Sequence, residues 1–153
     1  MERLYDEQGR RMFLCAVAVT RCRDLAEDAV HEVFCRHLRL ERAPENLTAY
    51  ALRSVRNAAI DLVRRNARVV ELDPDGFFDP AAGPLETAQA REFRLRAEEA
   101  MAGLPEDERE TILQHIYADL TFREIAELLG VPLATAASRY RRGMERLRER
   151  LEE

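Results

Sequence analysis

The stretch TFREIAELLGVPLATAASRYRRGMERLRERL, residues Thr121–Leu151, decides how the chain folds. Thr121 and Glu124 stand three apart. At that spacing each side chain can accept from the other residue's backbone N–H and close a helix N-terminus. Ile125, Leu128 and Leu129 follow at helical spacing, and Gly130 suits the left-handed residue that ends a helix. One residue later Pro132 opens a second helix, since proline fits a first helical turn. A short helix, a glycine turn and a longer helix form a helix-turn-helix pattern.

At about 100° per residue, Leu133, Ala136, Ala137, Tyr140, Met144, Leu147 and Leu151 of the second helix fall on one stripe and should face the core. Thr135, Ser138, Arg142 and Arg146 fall opposite, with Arg139 beside them and Arg141 toward the flank. The outer face is therefore cationic and hydroxyl-bearing. Arginine can bond bidentately to guanine, and serine or threonine can meet bases or phosphates. A basic run alone reads as a solvated face paired with Glu145 and Glu149. Its place after a capped helix and a glycine turn points to DNA contact instead.

This charge is local, because the whole chain has 24 basic and 29 acidic side chains and a net charge of −5. Every basic residue is arginine. Ser138–Arg150 carries six arginines against two acids, and Arg53–Arg68 five arginines against one acid. Between these segments, Glu71–Glu86 has five acids and no base. Clusters of this kind set the local field whatever the net charge.

Upstream the pattern is again helical. Leu4–Thr20 reads as a first helix, too short in its apolar run to cross a membrane. Asp24 and Glu27 are spaced to cap a second helix, whose inner face is Ala26, Ala29, Val30, Val33 and His37. Pro44 punctuates a loop over Leu40–Asn46. Thr48–Arg65 reads as a long helix with Leu52, Val55, Ala59, Leu62 and Val63 inward. Tyr50, Arg53, Asn57, Asp61 and Arg64 line its other face. Aromatic rings stack on unpaired bases, an amide reads base edges and guanidinium groups neutralise phosphate.

Glu71–Pro84, with three prolines and two glycines in 14 residues, breaks the helical pattern and reads as a linker. A charged helix resumes near Leu85 and runs to Ala102. Another starts at Leu104–Pro105, with Ile112, Leu113, Ile116 and Tyr117 as its core face.

The chain resembles the bacterial extracytoplasmic-function (group 4) sigma factors of RNA polymerase. Leu25–Leu38, Thr48–Arg65 and Leu104–Leu151 look like that family's regions 2.2, 2.3 to 2.4, and 4. The resemblance implies an all-α fold of two small helical domains. Residues 1–66 would be a sigma2-like bundle, 67–92 the Pro/Gly-rich acidic linker and the start of the next helix, and 93–153 a sigma4-like helix-turn-helix domain. It implies core RNA polymerase (β′ clamp helices and β flap), promoter DNA and an anti-sigma factor as partners, in the cytoplasm. No cofactor, catalysis or membrane insertion is expected. By position, Asp28, His31 and Glu32 would meet the clamp. Tyr50, Arg53, Asn57 and Arg64 would serve the −10 element. Thr135, Ser138, Arg139, Arg141, Arg142 and Arg146 would serve the −35 element. The chain departs from the family in a short segment between Phe34 and Tyr50, and in Ala137 where lysine or arginine is common.

His31 and Cys35 lie four apart with Asp28 on the same side, and Cys15 and Cys22 are the other thiols. Metal ligation would need these to converge, and no tight C-x-x-C pair is present, so a docking face with incidental His and Cys is the preferred reading. No G-x-x-x-x-G-K-[ST], G-x-S-x-G or H-E-x-x-H signature occurs. Two other functions fit parts of the pattern. One is a polymerase-independent helix-turn-helix regulator using Leu104–Leu151. The other is a sigma-like protein acting mainly through protein partners.

Overall fold

Helix α5 (Glu106–Ile116) opens with five consecutive charged residues, yet Glu108–Gln114 are all buried. A computed structural model describes residues 2–66 and 87–153, with side chains from residue 8 onward. Within it α5 lies between two groups of helices. On one side α1 (Glu2–Thr20), α2 (Arg23–His37) and α3 (Leu47–Arg65) pack mutually as a bundle. On the other, α6 (Phe122–Leu129) and α7 (Leu133–Glu152) complete the helix-turn-helix unit, and α4 (Ala88–Ala102) lies along α7. The Glu71–Pro84 linker lies outside the described residues.

The first bundle follows its sequence pattern. All five residues expected on the inner face of α2, from Ala26 to His37, are buried. Helix α3 buries Ala51, Leu52, Val55, Ala58 and Ala59, leaving Leu62 and Val63 half-buried. The Asp24–Glu27 cap does not form: α2 begins two residues earlier, and Cys22 stands at its N-cap without a side-chain hydrogen bond. Asp24 instead sits in the first turn, where a negative charge favours the helix dipole.

The two groups share apolar contacts. Met12, Cys15 and Ala16 of α1 belong to one core cluster with Ala118, Leu120, Ile125, Leu128 and Ala136 of the second half. Polar links cross the same boundary. Arg56 of α3 donates to both carboxylate oxygens of Glu110, at 2.7 and 3.2 Å. Gln114, fully buried, donates its Nε2 to the Cys15 carbonyl at 3.3 Å. Arg11 reaches across from α1 to the Ala118 carbonyl at 3.2 Å and to Glu124 at 2.8 Å. Ile116, expected in the core, is 49 % exposed. The faces buried on α5 are set by neighbours on several sides, and Ile116 falls at the helix end where Tyr117 caps it.

The start of α6 carries the expected capping box. Thr121 Oγ1 accepts from the Glu124 N–H and Glu124 Oε1 accepts from the Thr121 N–H, both at 3.1 Å. Gly130 ends the helix at φ 66°. The helix-turn-helix interior is aromatic. His115 stacks on Phe122 at 4.5 Å and meets the edge of Tyr140 at 4.8 Å, while its Nδ1 donates to the Leu120 carbonyl at 2.8 Å.

Gly143 brings α5 and α7 into close approach. A Cβ there would lie 2.6 Å from Ile112 Cδ1 and 3.2 Å from Glu108 Cβ. The end of the Ile112 side chain can shift for one methyl, and alanine regains about 1 kcal/mol of helix propensity. A larger side chain has no such escape. Gly143→Leu should lower stability by about 1–3 kcal/mol, read as a reduced urea midpoint. An unchanged midpoint would show that the helices do not meet there.

A second outcome concerns Glu124. Burial pushes its carboxyl up, but hydrogen bonds from Thr121 and Arg11 outweigh this and hold it below the ordinary 4.5. A carboxylate with a depressed folded pKa stabilises above its unfolded value and loses that contribution as pH falls through the folded one. Wild type should exceed Glu124→Gln by about 1 kcal/mol at pH 7. In pH-dependent thermal denaturation the difference should shrink below pH 4.5. A difference constant across that range would contradict the assignment.

Candidate nucleic-acid interface

Helix α7 buries Ala136 and Gly143, with Tyr140, Met144 and Leu147 half-buried beside them. Leu133, expected inward, is 48 % exposed, and Ala137 and Leu151 are only half-buried. The stripe's Tyr140, Met144 and Leu147 pack against Met101, Leu104, Ile112 and Leu113, and Ala136 is buried beside them. At Gly143 the helix comes close to Ile112 and Glu108 of α5. Leu133 and Leu151 are left at the margins, and an open apolar groove of about 1050 Å³ runs past Phe122, Ala137, Met144 and Leu151.

The polar residues of α7 sort by what α5 presents to them. Ser138, Arg141 and Arg142 straddle the outward face, and both arginines are exposed. Arg141, expected at the flank, makes no ion pair among the described residues. Arg139, Arg142 and Arg146 each pair with an acid of α5, though Arg142 and Arg146 stay exposed. Arg139 Nε lies 3.3 Å from Asp107, and its side chain is only 22 % exposed. It borders a cleft of about 440 Å³ between the two halves, shared with Arg56, Glu106 and Glu110. Arg146 Nε lies 3.2 Å and Arg142 Nε 3.9 Å from the carboxylate of Glu108, itself 5 % exposed. These are ion pairs rather than aligned hydrogen bonds, since Glu108 Oε2 has no hydrogen-bond donor. Thr135 sits half-buried in the first turn of α7.

The stripe on α3 is placed as its spacing requires. Arg53, Asn57, Asp61 and Arg64 are all exposed, opposite the buried Leu52, Val55 and Ala59. Tyr50 is half-buried and stacks on His37 with ring centroids 5.1 Å apart and planes inclined by 30°. Helix α3 packs against α1, α2 and α6, and α7 against α4, α5 and α6. On α2, Asp28 and His31 are exposed, and Glu32 pairs with Arg36 at 2.6 Å. Arg56 and Arg11 carry no mark in the sequence that separates them from surface arginines. Only their acidic partners across the boundary do.

The cysteines do not converge on His31. Cys35 Sγ lies 3.7 Å from His31 Nε2 on the outer side of α2, whereas Cys15 is fully buried against Leu52 and Gln114. Burial pushes the Cys15 thiol up to about 12, so it stays protonated at neutral pH. No group of three or more His, Cys, Asp or Glu among the described residues is arranged to hold a metal ion.

Comparison with known proteins places both halves. Residues 4–69 match the family described as Sigma-70 region 2, and residues 94–147 match Sigma-70, region 4. The chain is 28% identical over 134 residues to the ECF RNA polymerase sigma factor RpoE of Cereibacter sphaeroides, covering 86% of this chain and 73% of that protein. It is 29% identical over 156 residues to the ECF RNA polymerase sigma factor SigE of Mycolicibacterium smegmatis, covering 98% of this chain and 61% of that one. In fold it matches the sigma factor RpoE of Bartonella quintana, solved in complex with the anti-sigma factor NepR. The TM-score is 0.65 at 23% identity, over 99% of this chain and 98% of the other.

Proposed function

Since the chain belongs to the sigma-70 family of RNA polymerase sigma factors, in its extracytoplasmic-function branch, we propose that it binds core RNA polymerase and directs transcription initiation at particular promoters. The observation that carries this reading is the pair of outward cationic helix faces, one in each family region. An Asn-bearing stripe lies on α3 and a Ser- and Arg-bearing face on α7. A polymerase-independent regulator would use α7 and leave the α3 stripe without a purpose.

In this reading residues 1–66 dock on the polymerase through Asp28, His31 and Glu32 of α2. The same unit engages the −10 element through Tyr50, Arg53, Asn57 and Arg64. Residues 93–153 read the −35 element. There Ser138, Arg141 and Arg142 reach base edges and phosphates, while Thr135, Arg139 and Arg146 join from the margins once phosphate competes for them. Exposed ion pairs are worth at most about 1 kcal/mol, so Asp107 does not hold Arg139 against a duplex. The protein contributes binding energy and position, and the polymerase supplies the chemistry. The cytoplasm follows from where its partners work; among the described residues no helix is long and apolar enough to cross a membrane. An anti-sigma factor belongs to the same reading.

Gel filtration with core polymerase should give a stable complex, and none would refute the proposal. In promoter assays, Asn57→Ala and Arg142→Ala should each reduce activity roughly tenfold, the value of one good base contact, without loss of core binding. Arg141→Ala should weaken duplex binding more than Arg139→Ala and reduce the salt slope by about one. Unchanged promoter activity in Asn57→Ala and Arg142→Ala, or a flat salt response, would contradict these roles.

A further inference from the structure

The last residue of α2 and the first turn of α3 make a contact that the cationic stripe does not account for. His37 is 2 % exposed and sits on the apolar face of α2 with Val30 and Val33. Residues 38–46 lead from it to α3, where Asn46 accepts the Ala49 N–H at 3.1 Å and fixes the first helical turn. Tyr50 in that turn lies over the imidazole at 5.1 Å in a stacked arrangement. One face of the tyrosine ring is therefore occupied from inside the protein, while the half-buried residue keeps part of its surface toward solvent, on a helix whose Arg53 and Asn57 are exposed.

We propose that His37 is a positioning residue for promoter opening: its buried ring holds Tyr50 as a rigid platform on which an unpaired −10 base stacks. The inference rests on the sigma-factor reading of α3 and goes beyond it by assigning a role to a residue that touches no DNA. Flexible aromatic side chains lose rotamer freedom when a base settles on them. A ring already stacked from below has lost that freedom beforehand, so more of the stacking energy reaches the base.

The histidine is suited to this by its setting. Its Nε2 is buried without a hydrogen-bond partner. Burial, aided by the neighbouring Arg36 charge, holds its pKa below the ordinary 6.5, which keeps the ring neutral at neutral pH. A neutral imidazole packs against the tyrosine face as an aromatic surface and brings no charge into the core. The short connection of residues 38–46 makes the platform more important, because it leaves little loop to help hold an extruded base.

The test uses holoenzyme on a promoter found by run-off transcription, with 2-aminopurine placed at successive −10 positions of the nontemplate strand. Wild type should quench the probe at one position, and Tyr50→Ala should abolish that quench. His37→Ala and His37→Leu should weaken probe capture about three- to tenfold, and His37→Phe should restore it. Core binding and −35 duplex binding should stay unchanged in all three. His37→Leu fills the space without an aromatic face, and its melting temperature shows that the fold is intact. Wild-type capture by folded His37→Leu would overturn the proposal. Failure of folded His37→Phe to recover would do the same. If wild-type holoenzyme opens no promoter, the sigma-factor reading itself fails, which is distinct from a wild type that opens promoters indifferently to residue 37.

Discussion

The structure depends on satisfying the buried charges of α5. Glu108, Arg109 and Glu110 sit inside the molecule, and an unpaired charge there would cost more than most apolar contacts return. Glu110 is met by Arg56 from the other half, and Glu108 by Arg142 and Arg146 from α7. Arg109 donates one Nη to the Ala102 carbonyl at 3.4 Å and leaves its buried Nε without a partner. Each partner comes from a different element, so pairing these charges fixes where α3, α4 and α7 lie around one helix. Pairs of this kind add little net stability over apolar residues, but removing one partner is costly. They orient the halves rather than hold them by strength, and the shared apolar cluster contributes the burial.

The same constraint shapes the surface offered to DNA. Ser138, Arg141 and Arg142 lie on the side of α7 away from the buried Ala136 and Gly143, while Asp107 pairs with Arg139 and Glu108 with both Arg142 and Arg146. His115 stacked on Phe122, with Tyr140 packed edge-on and tilted against them, joins α6 to α7 behind that face. On α3 the burial of small residues, Ala51, Ala58 and Ala59, lets the helix lie deep in its bundle and leaves the Asn57 side clear.

Local signals were legible in the sequence and long-range ones were not. The Thr121–Glu124 box, the left-handed Gly130 and the inner face of α2 depend on residues within one or two turns, and spacing alone locates them. The orientation of α7 depends on what α5 presents to it. The stripe placed Ala136, Tyr140, Met144 and Leu147 toward the core and failed at Leu133, at the helix start. The burial of seven successive α5 residues had no periodic signature, since it comes from neighbours on several sides. Arg11, Arg56 and Gln114 looked like ordinary polar surface for the same reason. Asp24 shows the limit in the other direction: a D-x-x-E spacing was present, but the chain entered α2 two residues earlier and left it uncapped.

On the proposed reading the chain confers promoter choice on a polymerase through two cationic helix faces, one on α3 and one on α7. Run-off transcription with core enzyme on a genomic promoter pool tests it most directly. The account predicts a small set of transcripts that appear only when the protein is added, from start sites sharing two upstream elements. Transcription that is no more selective with the protein than with core enzyme alone would contradict it.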